Sequence, residues 1–343
     1  MTKARREQID LSLTPWYHCI SRCVRQAWLC GIDPVTGRDY SHRKGWIEQR
    51  IRQLAEVFAI DIAAYAVMDN HYHIVLRVDR DKAESWNQQE VLTRWAKLFS
   101  LPKYILDVQK RLKSAEDVPD ALCQTVDEAI ETYRKRLYDI SWFMRILNES
   151  IARMANKEDR VKGRFWQGRY KSQAILDEAA LVAVMAYVDM NPLRAGIVER
   201  VEQSQHTSLK ARLEGRAGHQ PAQDLPHRLP PHQQSQKPAE CNLLKDTAQA
   251  PLLPFADQHR DSPIPIRFTD YLELVDYLSR AIHPHKRGHT LETEAHIFDR
   301  LGLKADIVEE LHHWSERFGS EIGRASFHRK GARLNRRLFA VAA

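Results

Sequence analysis

Two histidines one residue apart, His71 and His73, sit in the apolar stretch Met68-Asp69-Asn70-His71-Tyr72-His73-Ile74-Val75-Leu76. Side chains alternate across a strand, so both imidazoles share one face while Tyr72, Ile74 and Leu76 share the other. One face can then coordinate a divalent metal while the other packs, which is what a metal site built on a strand requires. Two strand histidines that each satisfied a hydrogen bond would look the same in isolation. A second segment distinguishes the two cases: over a hundred residues later, Asp177 to Pro192 reads as one helix. Asp177 suits the N-cap, Glu178 suits the first turn, and the interior is rich in Ala, Leu and Met. Tyr187 and Asn191 are spaced i and i+4, on one side of its last turn. Pro192 is expected to stop the run, which puts Asn191 at the C-cap with its carboxamide near the tyrosine. A phenol with an ordinary pKa of about 10 is a poor nucleophile at neutral pH and needs a polarised electrophile or a base beside it.

The elements that must position these residues begin with a strand over 16–24 and a helix over 46–58, whose Ile47, Ile51, Leu54 and Phe58 form one stripe. A second strand, 60–67, turns at Asp69-Asn70 into the histidine strand, which runs to about Val78. A further amphipathic helix over 142–155 carries Phe143, Ile146, Leu147 and Ile151 inward, and residues 164–176 supply strand material before the tyrosine helix. This order predicts an α+β fold: a ferredoxin-like antiparallel sheet with helices on one face, a terminal tyrosine-bearing helix, and a small α-helical C-terminal region. Between the histidine strand and the helix at 142, residues 81–140 form a highly charged insertion with helical signals, read as a buttress to the sheet.

The chain resembles the single-tyrosine HUH transposases, and among them the REP-associated tyrosine transposases of bacteria. Four stretches in order carry the resemblance, over roughly residues 14–200: Tyr17-His18-Cys19-Ile20-Ser21-Arg22, His71-Tyr72-His73, Gly163-Arg164-Phe165-Trp166-Gln167-Gly168-Arg169-Tyr170-Lys171-Ser172, and Tyr187-Val188-Asp189-Met190-Asn191-Pro192-Leu193-Arg194-Ala195-Gly196. By position the resemblance implies that His71, His73 and Asn191 hold a divalent metal, Mg²⁺ or Mn²⁺, and that Tyr187 attacks DNA. The phenol would become joined to a 5′ phosphate with release of a 3′ hydroxyl, which conserves the phosphodiester energy for strand transfer. The implied partner is single-stranded DNA beside hairpins or imperfect palindromes. Arg164, Arg169 and Lys171, interleaved with Phe165, Trp166 and Tyr170, are candidates to hold phosphates and stack on bases, although alternation puts only some of them on one face and Phe165 or Trp166 can equally be core. Arg22 and His18 are further candidates for DNA contact. A water-using metal phosphohydrolase and a nucleic-acid-binding protein that cuts nothing remain as alternatives, and a homodimer is left open.

Composition agrees with a polyanionic partner: 52 Lys and Arg against 45 Asp and Glu give net +7. The first ten residues contain basic groups but no apolar segment behind them, so no secretory signal is expected. No apolar run approaches the roughly 20 residues that cross a bilayer, and a cytoplasmic, bacterial location is expected without membrane association. Five cysteines include Cys19, Cys23 and Cys30 close together, but without a Cys-x-x-Cys pair or a second half. Reduced thiols rather than a zinc site are expected. The 343 residues divide into a catalytic domain over 1–209, a Pro-, Gln- and His-rich linker over 210–264 that need not fold, and a helical accessory domain over 265–343. The basic tail of this last domain has six Lys or Arg from 321 onward against one acid, Glu321.

Overall fold

A computed structural model describes residues 9–24, 30–33, 36–221, 244, 246–259, 262–281 and 287–300. Four strands form one antiparallel sheet: β1 (Trp16–Arg22), β2 (Ile60–Val67), β3 (His71–Val78) and β4 (Lys171–Ile175), in the order β2-β3-β1-β4. β1 lies inside the sheet, pairing with β3 on one side and β4 on the other, with Tyr17, Cys19 and Ser21 buried on one face and His18 on the other. β2 and β3 form the hairpin, with its register shifted between Ile62 and Ala64.

Helices α1 (His42–Val57) and α6 (Ile140–Glu158) cover one face, burying Tyr17, Cys19, Tyr72, Ile74 and Leu76. Phe58, at the C-cap of α1, meets Phe143 of α6 edge-on at 5.5 Å between ring centroids. Between β3 and α6 the chain forms α2 (Arg80–Ser85), α3 (Gln88–Ala96), α4 (Lys103–Lys113) and α5 (Asp120–Arg136). These helices share the core beneath the sheet: Trp95 of α3 stacks on Tyr133 of α5 at 4.5 Å, and Trp142 of α6 meets Trp95 edge-on. The charge of the insertion therefore lies on outward faces, while its aromatic residues pack inward.

The opposite face of the sheet carries α7 (Glu178–Asp189) and the helical turn α8 (Asn191–Arg194), with α9 (Ser208–Leu213) and α10 (Phe268–Arg280) beside them. The boundaries expected downstream of residue 209 need correction. Leu244, Thr247, Ala250, Leu252 and Phe255, inside the stretch read as an unfolded linker, are buried. The reason is α1, whose outer side carries Arg52, a buried arginine that the hydrophobic stripe does not reveal. Its guanidinium donates to the carbonyls of Ala250 (2.9 Å) and Arg216 (2.7 Å), so the returning chain satisfies a cation that would otherwise be stranded. Nor does α10 stand apart: Tyr271, Leu272 and Val275 join Leu181, Met185 and Val188 of α7 in one cluster. The helix expected over 305–318 and the basic tail lie outside the described residues. Among the described residues no helix is long and apolar enough to cross a membrane, and Cys19, Cys23, Cys30 and Cys123 are all free thiols.

α1 also buries Glu48, which accepts from Tyr65 Oη (2.8 Å), His206 Nδ1 (2.7 Å) and Arg216 Nη1 (2.9 Å). Burial alone would raise its pKa, but these partners outweigh that effect and hold the carboxyl at about 2, against an ordinary 4.5. A depressed folded-state pKa gives stability that is present above 4.5 and lost as pH falls toward 2. The shift corresponds to roughly 3 kcal/mol. Urea unfolding followed across that window should show the loss, and Glu48→Gln should flatten this part of the profile.

Candidate functional site

The site lies on the α7 side of the sheet. Register places Arg22 opposite His71, Ile20 opposite both His73 and Lys171, and His18 opposite both Val75 and Gln173. Because side chains alternate, Arg22, His18, His71, His73, Lys171 and Gln173 all belong to this face. The His71 and His73 rings are 4.9 Å apart between centroids, and Tyr187 meets His73 edge-on at 5.8 Å and His18 at 6.1 Å. Residues expected to act together are thus brought together from β1, β3 and α7.

Tyr187 reaches this position because α7 is fixed at both ends. Asp177 caps the first turn, accepting from the Ala180 amide at 2.7 Å. α7 ends at Asp189, but Pro192 does not end the helical path: Asn191 to Arg194 form the further turn α8, with the proline in its first turn, where a missing N–H costs nothing. Asn191 is accordingly the first residue of α8 rather than a C-cap. Its Nδ2 donates to the Tyr187 carbonyl at 2.9 Å, which leaves the amide oxygen as its acceptor.

Asp189, two residues after the tyrosine, anchors the helix. Its carboxylate accepts from Ser208 Oγ (2.7 Å), the Leu209 amide (2.9 Å) and Tyr271 Oη (2.6 Å). Burial raises its pKa, and these three donors pull it back only in part. Asp189→Ala leaves the Ser208, Leu209 and Tyr271 donors buried without their acceptor, at a cost of about 3 kcal/mol or more. Chemical denaturation should show that loss directly.

The phenol is half-buried. Desolvation raises its pKa, while the Asn191 side chain and the Arg22 guanidinium pull it down less strongly. Tyr187 is therefore protonated at neutral pH, and Arg22 is the cation placed to favour its anion. Arg22, Arg164, Arg169 and Lys171 are all exposed, Lys171 on the site's own face and Arg164 and Arg169 on the segment entering β4.

Two expectations change. His18 is only 3% exposed, enclosed by His73, Gln173 and Tyr187, and so cannot reach out to DNA. Burial drives its pKa down to about 4, so the ring is neutral. The aromatics near β4 are not a stacking surface. Phe165 and Tyr170 are buried, and Trp166 gives its indole N–H to the Asn148 carbonyl at 2.7 Å and packs against Tyr72. Sequence reading missed Gln173. Alternation from Lys171 puts it on the site face, but only the pairing of β4 with β1 places it against His18.

Among the described residues no group of three or more His, Cys, Asp or Glu side chains is arranged to hold a metal ion. The residues expected to hold a metal, His71, His73 and Asn191, would offer two imidazoles from one strand face and one carboxamide oxygen. Mixed nitrogen and oxygen donors of this kind fit Mn²⁺ or Mg²⁺ better than a thiolate-seeking metal.

No protein-family model matches the chain, and no curated protein matches it. Among solved structures, the chain is similar to a REP-associated tyrosine transposase bound to a REP hairpin. The match covers 63% of this chain and 87% of that one, with 15% identity and a TM-score of 0.35.

Proposed function

We propose that this chain is a metal-dependent enzyme that cleaves and rejoins single-stranded DNA at hairpin-forming repeats through a covalent tyrosine intermediate, as a transposase of the single-tyrosine HUH type. The observation that carries this reading is the approach of Tyr187 to His73, whose ring lies beside His71, from elements over a hundred residues apart. An ordinary packed tyrosine has no reason to sit against the His73 and His18 rings with the Arg22 guanidinium near enough to favour its anion.

His71, His73 and the Asn191 oxygen would hold the divalent metal, which when bound supplies Lewis acidity toward a non-bridging phosphate oxygen. The Tyr187 oxygen attacks phosphorus in line, and the bond from phosphorus to the 3′ oxygen breaks. The phenol proton passes to solvent and the leaving 3′ oxygen ends as a hydroxyl. The downstream strand is left on the enzyme as a 5′-phosphotyrosine, and attack by a 3′ hydroxyl reverses these bond changes and joins two ends. Arg22 stabilises charge at the phenolic oxygen, and Lys171, with Arg164 and Arg169, holds backbone phosphates near the sheet. The half-buried position of Tyr187 keeps its ring fixed, so the attack geometry is not assembled anew at each turnover.

End-labelled single-stranded DNA carrying a hairpin, mixed with protein and Mn²⁺ and run on a denaturing gel, tests this reading. Label at the 3′ end should migrate with the protein, and label at the 5′ end should leave as a shortened strand. Release of both labels would indicate attack by water, and intact DNA with tight binding would indicate a protein that binds without cutting.

A further inference from the structure

Gln173, His18 and His73 lie on three adjacent strands, and their polar atoms form a line across the sheet. The Gln173 amide oxygen is 3.2 Å from His18 Nδ1, and His18 Nε2 is 2.9 Å from His73 Nδ1. The two rings are 14° from parallel with centroids 5.1 Å apart, the side-by-side arrangement that an in-plane N–H···N bond requires. An amide oxygen only accepts, so the proton on His18 sits on Nδ1. His18 Nε2 is then the acceptor of a neutral ring, and the proton between the two histidines belongs to His73 Nδ1.

We propose that Gln173 and His18 form a relay that fixes His73 as its Nδ1–H tautomer, so that Nε2 is the atom with which His73 binds metal. They are positioning residues: neither is assigned contact with DNA. The functional part of this inference rests on the proposed metal role of His73, whereas the tautomer rests on these hydrogen bonds between two buried, neutral rings. A ligating histidine ordinarily gives its second N–H to a carboxylate, a backbone carbonyl or water. Here a buried imidazole takes that place and an amide orients it in turn. The choice has an electrostatic consequence. A carboxylate in this position would add negative charge beside a site meant for phosphate, whereas the Gln173–His18 pair orients the ligand without adding charge. Both His18 and His73 are 3% exposed, so solvent competes poorly for the bond between them.

The full chain labelled with ¹⁵N-histidine, free of metal and near neutral pH, reports each ring's protonated nitrogen through long-range ¹H–¹⁵N couplings. His18 and His73 should both appear as Nδ1–H tautomers. In His18→Phe, which removes the acceptor, His73 should lose that preference and the Mn²⁺ dissociation constant should rise by roughly 10–100-fold. His18→Gln restores an acceptor oxygen and should recover most of the affinity, which a purely space-filling role for His18 would not predict. Thermal unfolding of each variant separates misfolding from loss of the relay. An Nε2–H tautomer for His73 in the parent chain would overturn the relay. So would His18→Phe binding Mn²⁺ as tightly as the parent, or added Zn²⁺ shifting His18 Nε2 as a direct ligand. If the tautomers are as stated but the parent chain shows no Mn²⁺ affinity, the relay stands and the metal reading of the site fails.

Discussion

Tyr187→Phe is expected to abolish the protein–DNA adduct, lowering strand cleavage on the order of a thousandfold or more, the scale on which enzymes respond to loss of a nucleophile. The change removes one oxygen and leaves the ring in place. The ring's edge contacts with His18 and His73 therefore survive, and so does the bond from Asn191 to the backbone carbonyl of residue 187. Binding of hairpin DNA and the unfolding midpoint should match those of the parent chain, which isolates the effect to chemistry. Single-turnover cleavage of labelled DNA at saturating protein checks the rate, and salt-dependent binding checks that the substrate still docks. Cleavage by Tyr187→Phe at the parent rate would identify water as the nucleophile and reassign the site as that of a phosphohydrolase.

His73→Ala carries the second large effect. It removes one proposed ligand outright, so the Mn²⁺ dissociation constant should rise by more than the roughly 10–100-fold expected from losing an outer hydrogen-bond partner. Adduct formation should fall to background at metal concentrations that saturate the parent. His73 is also buried against His18, whose Nε2 the change leaves without its donor, so a stability cost of about 1–3 kcal/mol accompanies the loss. His71→Ala separates the two effects. His71 is only partly buried, so metal affinity should fall with little change in stability. Isothermal titration with Mn²⁺ and urea unfolding, run on both variants, read the two quantities independently. Unchanged Mn²⁺ affinity in both would remove the histidine pair from the metal site.

The sequence makes the frame of this site legible because local periodicity decides it. The hairpin over 60–78, the stripe of Ile47, Ile51, Leu54 and Phe58, and the Asp177-capped helix each follow from neighbours in the chain. Alternation alone puts His71 and His73 on one face. What periodicity does not contain is register between distant segments. His18 reads from sequence as a DNA contact, but the position of β1 between β3 and β4 encloses its ring between His73 and Gln173. The same limit hid Asp189, which looks like an ordinary helix-end acid and proves to be the acceptor joining α7, α9 and α10. The aromatics near β4 failed for a different reason: interleaved basic and aromatic residues suggest a nucleic-acid surface, but burial of Phe165 and Tyr170 is settled by α6 and the sheet together. Composition misled most clearly between 244 and 255, where a proline-containing stretch buries Leu244, Ala250, Leu252 and Phe255 and the Ala250 carbonyl accepts from Arg52 of α1.

Peptide mass spectrometry on protein trapped with hairpin-bearing single-stranded DNA and Mn²⁺ bears most directly on the chemistry. After nuclease and protease digestion, the peptide containing Tyr187 should carry the mass of a nucleotide joined through its 5′ phosphate to the phenolic oxygen, and Tyr187→Phe should yield no modified peptide. A nucleotide on any other residue, or cleaved DNA with every peptide unmodified, would contradict the assignment of Tyr187 as the nucleophile.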